Sequence, residues 1–252
     1  MTPNNFGAKE NVFSVISEFY QQSMALSCDY DKWANFITES VKKYSRGVVG
    51  YDMGCGSGQI TRALKRAGFA VTGVDISPEM LAAAQAENAK QKIFVPYIAG
   101  DILKFKPNVK ADFITAVNDA FNCISGDKLE KAFEKMHGAL KKGGFLLFDV
   151  SSAYKLKHVI ANNVFFEDDD DHTYVWTNSL EKDFVKMEMC VFLRRGELYE
   201  RKDAELTEYI HERDFIISAI EKAGFEVLSV CGDMGEKEHD KSLRLNFFAR
   251  RN

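Results

Sequence analysis

Val48-Val49-Gly50-Tyr51-Asp52-Met53-Gly54-Cys55-Gly56-Ser57-Gly58 carries an apolar run into an acid and three alternating glycines. Gln59-Ile60-Thr61-Arg62-Ala63-Leu64-Lys65-Arg66 follows at once with helix-like spacing. That order predicts a strand that turns sharply into a helix, with glycines letting a bulky ligand lie against bare backbone. A second strand-like run, Phe69-Ala70-Val71-Thr72-Gly73-Val74, ends in Asp75. This is about twenty residues past the glycines, where a nucleoside-binding α/β fold puts a carboxylate for ribose hydroxyls. The glycine spacing discriminates among nucleosides. Dinucleotide folds read G-x-G-x-x-G and leave free amides at a helix N-terminus for a pyrophosphate. Here the third glycine arrives one residue early and Asp52 precedes the loop. A carboxylate there repels a pyrophosphate and suits the ammonium of an amino-acid tail.

Outward from this segment the chain alternates as a βαβ protein should. Strand 48–53 leads to helix 58–67, and strand 70–74 to helix 78–90, which opens with a Ser77 cap and Pro78 at its first position. Strands 93–98 and 112–117 follow, then helix 127–140, stopped by Gly143-Gly144, and strand 145–150. Two segments at 10–27 and 31–44 show helical apolar spacing (Val12, Phe13, Ile16, Phe19, Tyr20; Trp33, Phe36, Ile37, Val41) ahead of the first strand. From about residue 151 the rhythm breaks. Residues 164–209 hold no clear helix but several strand-like runs, Thr173–Thr177, Phe184–Met189 and Leu198–Arg201, separated by turns. They predict an antiparallel β insertion over 151–209. Helix 211–223, strand 225–231 and strand 243–249 close the chain. The last two strands, joined without a helix, predict an antiparallel final strand. The expected fold is therefore α/β, a mostly parallel seven-stranded Rossmann-like sheet built from 1–150 and 210–252.

With 252 residues, 46% hydrophobic and 28% charged, the chain has the composition of a soluble globular domain with one elaboration. Its net charge is −4 and no Lys/Arg block exceeds a pair, which speaks against a nucleic-acid footprint. The five cysteines (Cys28, Cys55, Cys123, Cys190, Cys231) are scattered without metal-ligand spacing and read as reduced thiols. No histidine cluster suggests a metal site. The N-terminus lacks the regions of a signal peptide and no apolar run reaches membrane-spanning length, so the expected location is the cytoplasm.

Asp52-x-Gly54-x-Gly56-x-Gly58 with Val74-Asp75 resembles motif I and its partner acid in the class I S-adenosylmethionine (SAM) methyltransferases. The chain is most similar to the bacterial YqeM-like group of that family. Tyr30-Asp31-Lys32-Trp33, Val74-Asp75-Ile76-Ser77, Gly100-Asp101, Asn118-Asp119-Ala120-Phe121-Asn122, Leu140-Lys141-Lys142-Gly143-Gly144, Phe148-Asp149-Val150, Trp176, Tyr199-Glu200-Arg201 and Ala223-Gly224-Phe225 carry the likeness. The resemblance implies SAM as cofactor and S-adenosylhomocysteine as product. Asp52, Gly54, Cys55, Gly56 and Gly58 would surround the methionine moiety, Asp75 the ribose hydroxyls, and Ile76 with Asp101-Ile102 the adenine. Asn118 would stand where donor and acceptor meet, and Asp119 is the candidate base, ahead of Tyr209 and His211.

Two departures narrow the acceptor. Asn118-Asp119-Ala120-Phe121 is not the Asn-Pro-Pro-Tyr loop of enzymes that methylate nucleic-acid or protein amide nitrogens. Glu205-Leu206-Thr207 stands where many relatives carry Glu-x-His. The insertion is expected to cover the acceptor pocket, lined by Trp176, Tyr199 and Tyr209, with Phe184 and Phe192 as further candidates. The acidic run Glu167–Asp171 is either a lure for a cationic acceptor or a solvated loop. The expected activity is methyl transfer to O or N of a small molecule. The alternatives are an RNA- or tRNA-directed methyltransferase and a SAM-binding regulator without turnover; an NAD-dependent oxidoreductase fits the glycine spacing poorly.

Overall fold

Neighbouring apolar residues in the central strands split across two cores: Phe113, Leu147 and Phe248 enter one, while Ile114, Leu146 and Phe247 enter the other. A sheet covered on both faces needs such unbroken apolar runs. The computed structural model describes residues 10–17 and 29–252. Its strands are β1 (Glu10–Asn11), β2 (Val49–Met53), β3 (Ala70–Asp75), β4 (Tyr97–Ala99), β5 (Ala111–Ala116), β6 (Leu140–Ser151), β7 (Val164–Asp168), β8 (His172–Leu180), β9 (Phe184–Arg195), β10 (Leu198–Tyr209), β11 (Phe225–Cys231) and β12 (Arg244–Arg251). Seven of them form one sheet in the order β11-β12-β6-β5-β2-β3-β4. β2 to β6 pair in parallel, while β12 runs antiparallel to both β6 and β11. This is the Rossmann-like arrangement expected, with its reversed last strand.

The helices, numbered over the described residues, are α1 (Val12–Ile16), α2 (Tyr30–Tyr44), α3 (Gln59–Arg66), α4 (Pro78–Lys90), α5 (Gly126–Ala139) and α6 (Arg213–Lys222). Asp29 caps α2 by accepting from Lys32 N at 3.0 Å, and Trp33, Ile37 and Val41 form its buried stripe against Phe113, Phe145 and Phe248. Ser77 caps α4 through Met80 N at 3.2 Å, with Pro78 at the first position. α5 and α6 cover the opposite face through Leu129, Phe133, Met136, Ile216 and Ile220.

Some boundaries differ from expectation. The strand foreseen over 93–98 is confined to Tyr97–Ala99, because Pro96 has no N–H to give a ladder and Phe94 points outward. Gly143-Gly144 does not stop the helix. α5 ends at Ala139 and β6 begins immediately, with Gly143 at φ 74° absorbing the register shift opposite Ala111 and Phe113. The first helix opens as β1 and the short α1, and the rest of that expected helix, with Phe19, Tyr20 and Cys28, lies outside the described residues.

After Ser151 the chain makes a π-helical segment, Lys155–Ile160, then a second sheet in the order β1-β10-β9-β8-β7. β9 alternates in burial, with Val185, Met187, Met189, Val191 and Leu193 inward. Val12 and Val15 of α1 pack on part of that inner face. Among the described residues no helix is long and apolar enough to cross a membrane.

Candidate functional site

The loop after β2 is held open by backbone conformation. Gly56 sits at φ 51°, and a Cβ there would meet nothing within 4 Å, so its backbone faces free space. Its amide donates to Asp75 Oδ2 at 2.7 Å, and Ser77 N donates to Oδ1 at 2.9 Å. Burial raises the Asp75 pKa, while these amides pull it back. Asp52 is 1% exposed, and both its oxygens accept hydroxyls, from Thr61 at 2.6 Å and Thr115 at 2.7 Å. Burial pushes its pKa up to about 6 against those two bonds.

A cavity of about 490 Å³ opens at the carboxyl ends of β2, β3 and β4, bordered by Gly54, Gly56, Asp75, Ile76, Met80, Asp101, Ile102 and Asn118. This is where a ligand lies in an open α/β sheet. A narrow cleft of about 30 Å³ adjoins it, between Tyr30 and Trp33 on one side and Asp52, Gly54, Cys55 and Gln59 on the other. Beside this cleft Trp33 Nε1 and Gln59 Oε1 are buried with no hydrogen-bond partner among the described residues. A donor and an acceptor left unpaired together match the carboxylate and ammonium of an amino-acid tail. A bare glycine, a strand-end carboxylate and this orphaned pair are features a nucleoside with an amino-acid tail would satisfy.

A second cavity of about 470 Å³ lies between the two sheets, walled by Trp176, Met187, Met189 and Leu206 and floored by Asp119, Lys155, Glu208 and Arg244. Phe13, Asn118, Cys123 and Leu206 border both large cavities. The segment dividing them, 118–124, is tightly fastened. Asn118 and Asp119 both adopt φ 65°, and their amides donate to the two oxygens of Asp149 at 3.0 and 2.9 Å. Buried Asn122 donates to Ser151 O at 3.2 Å and Tyr209 O at 3.1 Å and accepts from Ser151 N at 2.9 Å, joining both ends of the second sheet's chain excursion.

Each expected residue now has a place. Gly54, Gly56, Asp75, Ile76, Asp101, Ile102 and Asn118 share the first cavity, and Ile76 is 67% exposed there. Asp101 also accepts from Leu103 N at 2.8 Å, capping a short 3₁₀ turn. Cys55 lies on the cleft, and burial drives its thiol pKa well up, so it is no nucleophile. Gly58 stands apart: it starts α3 at φ 79°, and a side chain there would collide with Tyr97. Trp176 lines the second cavity and Tyr209 the first, but Tyr199 is exposed near the β9–β10 turn, outside both.

Asp119 does not suit a proton acceptor. Burial alone would raise its pKa, but Arg244 and Lys155 hold it below the usual range; Arg244 donates to its oxygens at 2.9 and 3.2 Å. His211 is buried with Nε2 facing the carbonyls of Phe121 and Ile124 at 3.3 and 3.0 Å, so it braces the dividing segment instead of reaching a ligand. The acidic run is a hairpin corner: Glu167 bonds His172 and Tyr174, Asp168 bonds Thr173, and none of the five borders a large cavity. Among the described residues no three His, Cys, Asp or Glu side chains gather as for a metal ion. Glu208, Lys155 and Arg244 escaped the sequence reading. The sole signal was Glu208 beside Tyr209, at the return from the insertion.

Residues 51–144 match the family described as a methyltransferase domain. A Geobacillus protein (strain WCH70) that carries the name methyltransferase is 30% identical over 241 residues, spanning 92% of this chain and 97% of its own. YqeM of Bacillus subtilis (strain 168), also named as a methyltransferase, is 29% identical over 251 residues, 95% of this chain and 97% of that one. The crystal structure of an S-adenosylmethionine-dependent methyltransferase from Clostridium acetobutylicum superposes with a TM-score of 0.86 at 31% identity, covering 96% of this chain and 100% of that chain.

Proposed function

The chain belongs to the class I S-adenosylmethionine-dependent methyltransferases, and from that premise we propose that it methylates an oxygen or nitrogen of a small molecule held in the cavity between its two sheets. The observation that carries this reading is the junction of the two large cavities at Phe13, Asn118, Cys123 and Leu206. One cavity suits a nucleoside, the other has room for an acceptor of drug-like size, and the segment 118–124 lies between them with Phe13 and Leu206.

In this reading Asp75 takes the ribose hydroxyls, Ile76 and Asp101-Ile102 flank the adenine, and Trp33 and Gln59 receive the amino-acid tail. The cofactor, when bound, supplies a methyl carbon made electrophilic by its sulfonium. The chain's own task is to aim the acceptor's nucleophile at the junction and to keep water from it. Trp176, Met187 and Met189 exclude water on the second-sheet side. Residues 151–209 thus act as the acceptor-site cover. The net charge of −4 supports a small molecule over RNA, and the free thiols of Cys55, Cys123, Cys190 and Cys231 support a cytoplasmic setting.

The test is a label-transfer experiment. Protein is incubated with methyl-labelled SAM and a cell extract, which is then separated by size. Label is expected in small-molecule products. Label confined to RNA or protein would overturn the acceptor class, and failure to bind S-adenosylhomocysteine would overturn the site.

A further inference from the structure

Five charged groups border the second cavity: Asp119, Lys155, Glu208, Asp233 and Arg244. Most are engaged. Arg244 grips Asp119 and also donates to Asp149 Oδ1 at 2.6 Å, and Lys155 donates to Ser151 Oγ at 2.9 Å. Glu208 differs. Its carboxyl accepts no hydrogen bond from the described residues, although it borders the cavity half-buried on β10, next to the apolar wall of Trp176, Met187 and Leu206.

The charges around Glu208 explain its state. Burial raises its pKa most, and Asp119 adds to this from the segment after β5. Lys155 of the π-helical segment and Arg244 of β12 oppose them, leaving the group at about 8. Cys123, whose thiol is itself raised by burial and then by Glu208, faces it from the dividing segment, and Asp233 borders the same cavity. A cation beside Glu208 favours its ionised form, and the bordering carboxylates then outnumber the cations three to two, with Arg244 further shared with Asp149. The cavity therefore favours a cation over an anion or a neutral alcohol.

We propose that the second cavity receives an amine with an apolar body, and that Glu208 is the catalytic base that takes the proton from its ammonium group. This rests on that cavity being the acceptor site. The proton passes from the acceptor nitrogen to a Glu208 carboxylate oxygen. The lone pair so freed forms the new N–C bond as the C–S bond breaks, its electron pair staying on sulfur as a neutral thioether. The product leaves as a methylammonium, and Glu208 returns its proton to solvent. An aliphatic ammonium titrates at about 10, near enough to a carboxyl at about 8 for this transfer; an aliphatic hydroxyl is far too weak an acid.

The test titrates the full-length protein and E208Q with S-adenosylhomocysteine, then with phenethylamine, phenethyl alcohol and phenylacetate as probes. Carboxyl carbon-13 spectra of glutamate-labelled protein are followed against pH. S-adenosylhomocysteine is expected to bind both proteins alike, which also shows that E208Q is folded. The amine should bind the parent protein at least about tenfold more tightly than either analogue, an advantage lost in E208Q. One glutamate signal should titrate near pH 8, vanish in E208Q and shift when the amine is added. An amine no tighter than the alcohol, an advantage that survives in E208Q, or a Glu208 signal in the ordinary carboxylate range overturns the proposal. Failure of the parent protein to bind S-adenosylhomocysteine instead overturns the reading beneath it, while the glutamate titration still judges Glu208.

Discussion

The Gly56 amide donates to a carboxylate oxygen of Asp75 at 2.7 Å, so the acid at the end of β3 fixes the glycine loop as well as facing the cavity. Asp75→Ala therefore removes the proposed ribose contact and loosens the loop together. Calorimetric titration should show S-adenosylhomocysteine affinity falling roughly a hundredfold, as two charge-assisted hydrogen bonds are lost. NAD serves as the control and should bind neither protein.

Gly56→Ala separates space from conformation. Among the described residues nothing obstructs the added methyl, so the left-handed backbone is what is penalised, by about 1 kcal/mol. The methyl would instead occupy ligand space. Thermal unfolding should change little while S-adenosylhomocysteine binding drops by at least about tenfold.

Asp52 makes stability depend on pH. Its folded pKa of about 6 lies above its ordinary value of 3.8, so the folded state holds the proton more tightly than the unfolded one. Stability tied to that proton is complete below the unfolded value and is lost as pH rises through the folded one. Asp52→Asn should stabilise the ligand-free protein by up to about 3 kcal/mol at neutral pH and hardly at all near pH 4. Urea unfolding at the two pH values reads this directly.

Arg244 compensates the buried Asp149 and the half-buried Asp119, and stacks over the Trp33 ring at 5.0 Å from its centroid. Arg244→Leu leaves Asp149 with its two backbone amides and Asp119 with the more distant Lys155, and should cost about 3–5 kcal/mol at neutral pH. The deficit should shrink as pH falls, because the two carboxylates then take up protons. A deficit independent of pH would show that the lost packing, not the charge, dominates.

The parallel sheet with its reversed last strand, and the meeting of Gly54, Gly56 and Asp75 at one opening, were legible because they depend on short-range signals. Asp52, Gly54, Gly56 and Asp75 fall within one βαβ unit, where glycine spacing and strand ends are read directly. The cavity between the two sheets was not, because Asp119, Lys155, Glu208 and Arg244 come from four separate stretches of chain. Asp119 looked like a base when Arg244, more than a hundred residues away, could not be seen to neutralise it. Gly143-Gly144 misled for a related reason. Its glycine serves a bulge facing Ala111 and Phe113, and a bulge is visible only with its partner strand. Tyr199 was set in the pocket by its aromatic character, whereas the length of the β9–β10 hairpin carries it past the cavity into solvent.

The two-residue strand β1 has a consequence in time. Glu10 and Asn11 pair in parallel with Ala204 and Glu205. During synthesis, β2 to β6 emerge in sequence and can pair with little loop-closure cost. The N-terminal segment must wait for β10, and Asp119 must wait longer still for Arg244. The parallel strands around the glycine loop can thus take shape on the ribosome, whereas the cavity between the two sheets is completed only once nearly the whole chain has been made. A nascent or truncated protein lacking the last strand would leave Asp119 and Asp149 without the cation they share.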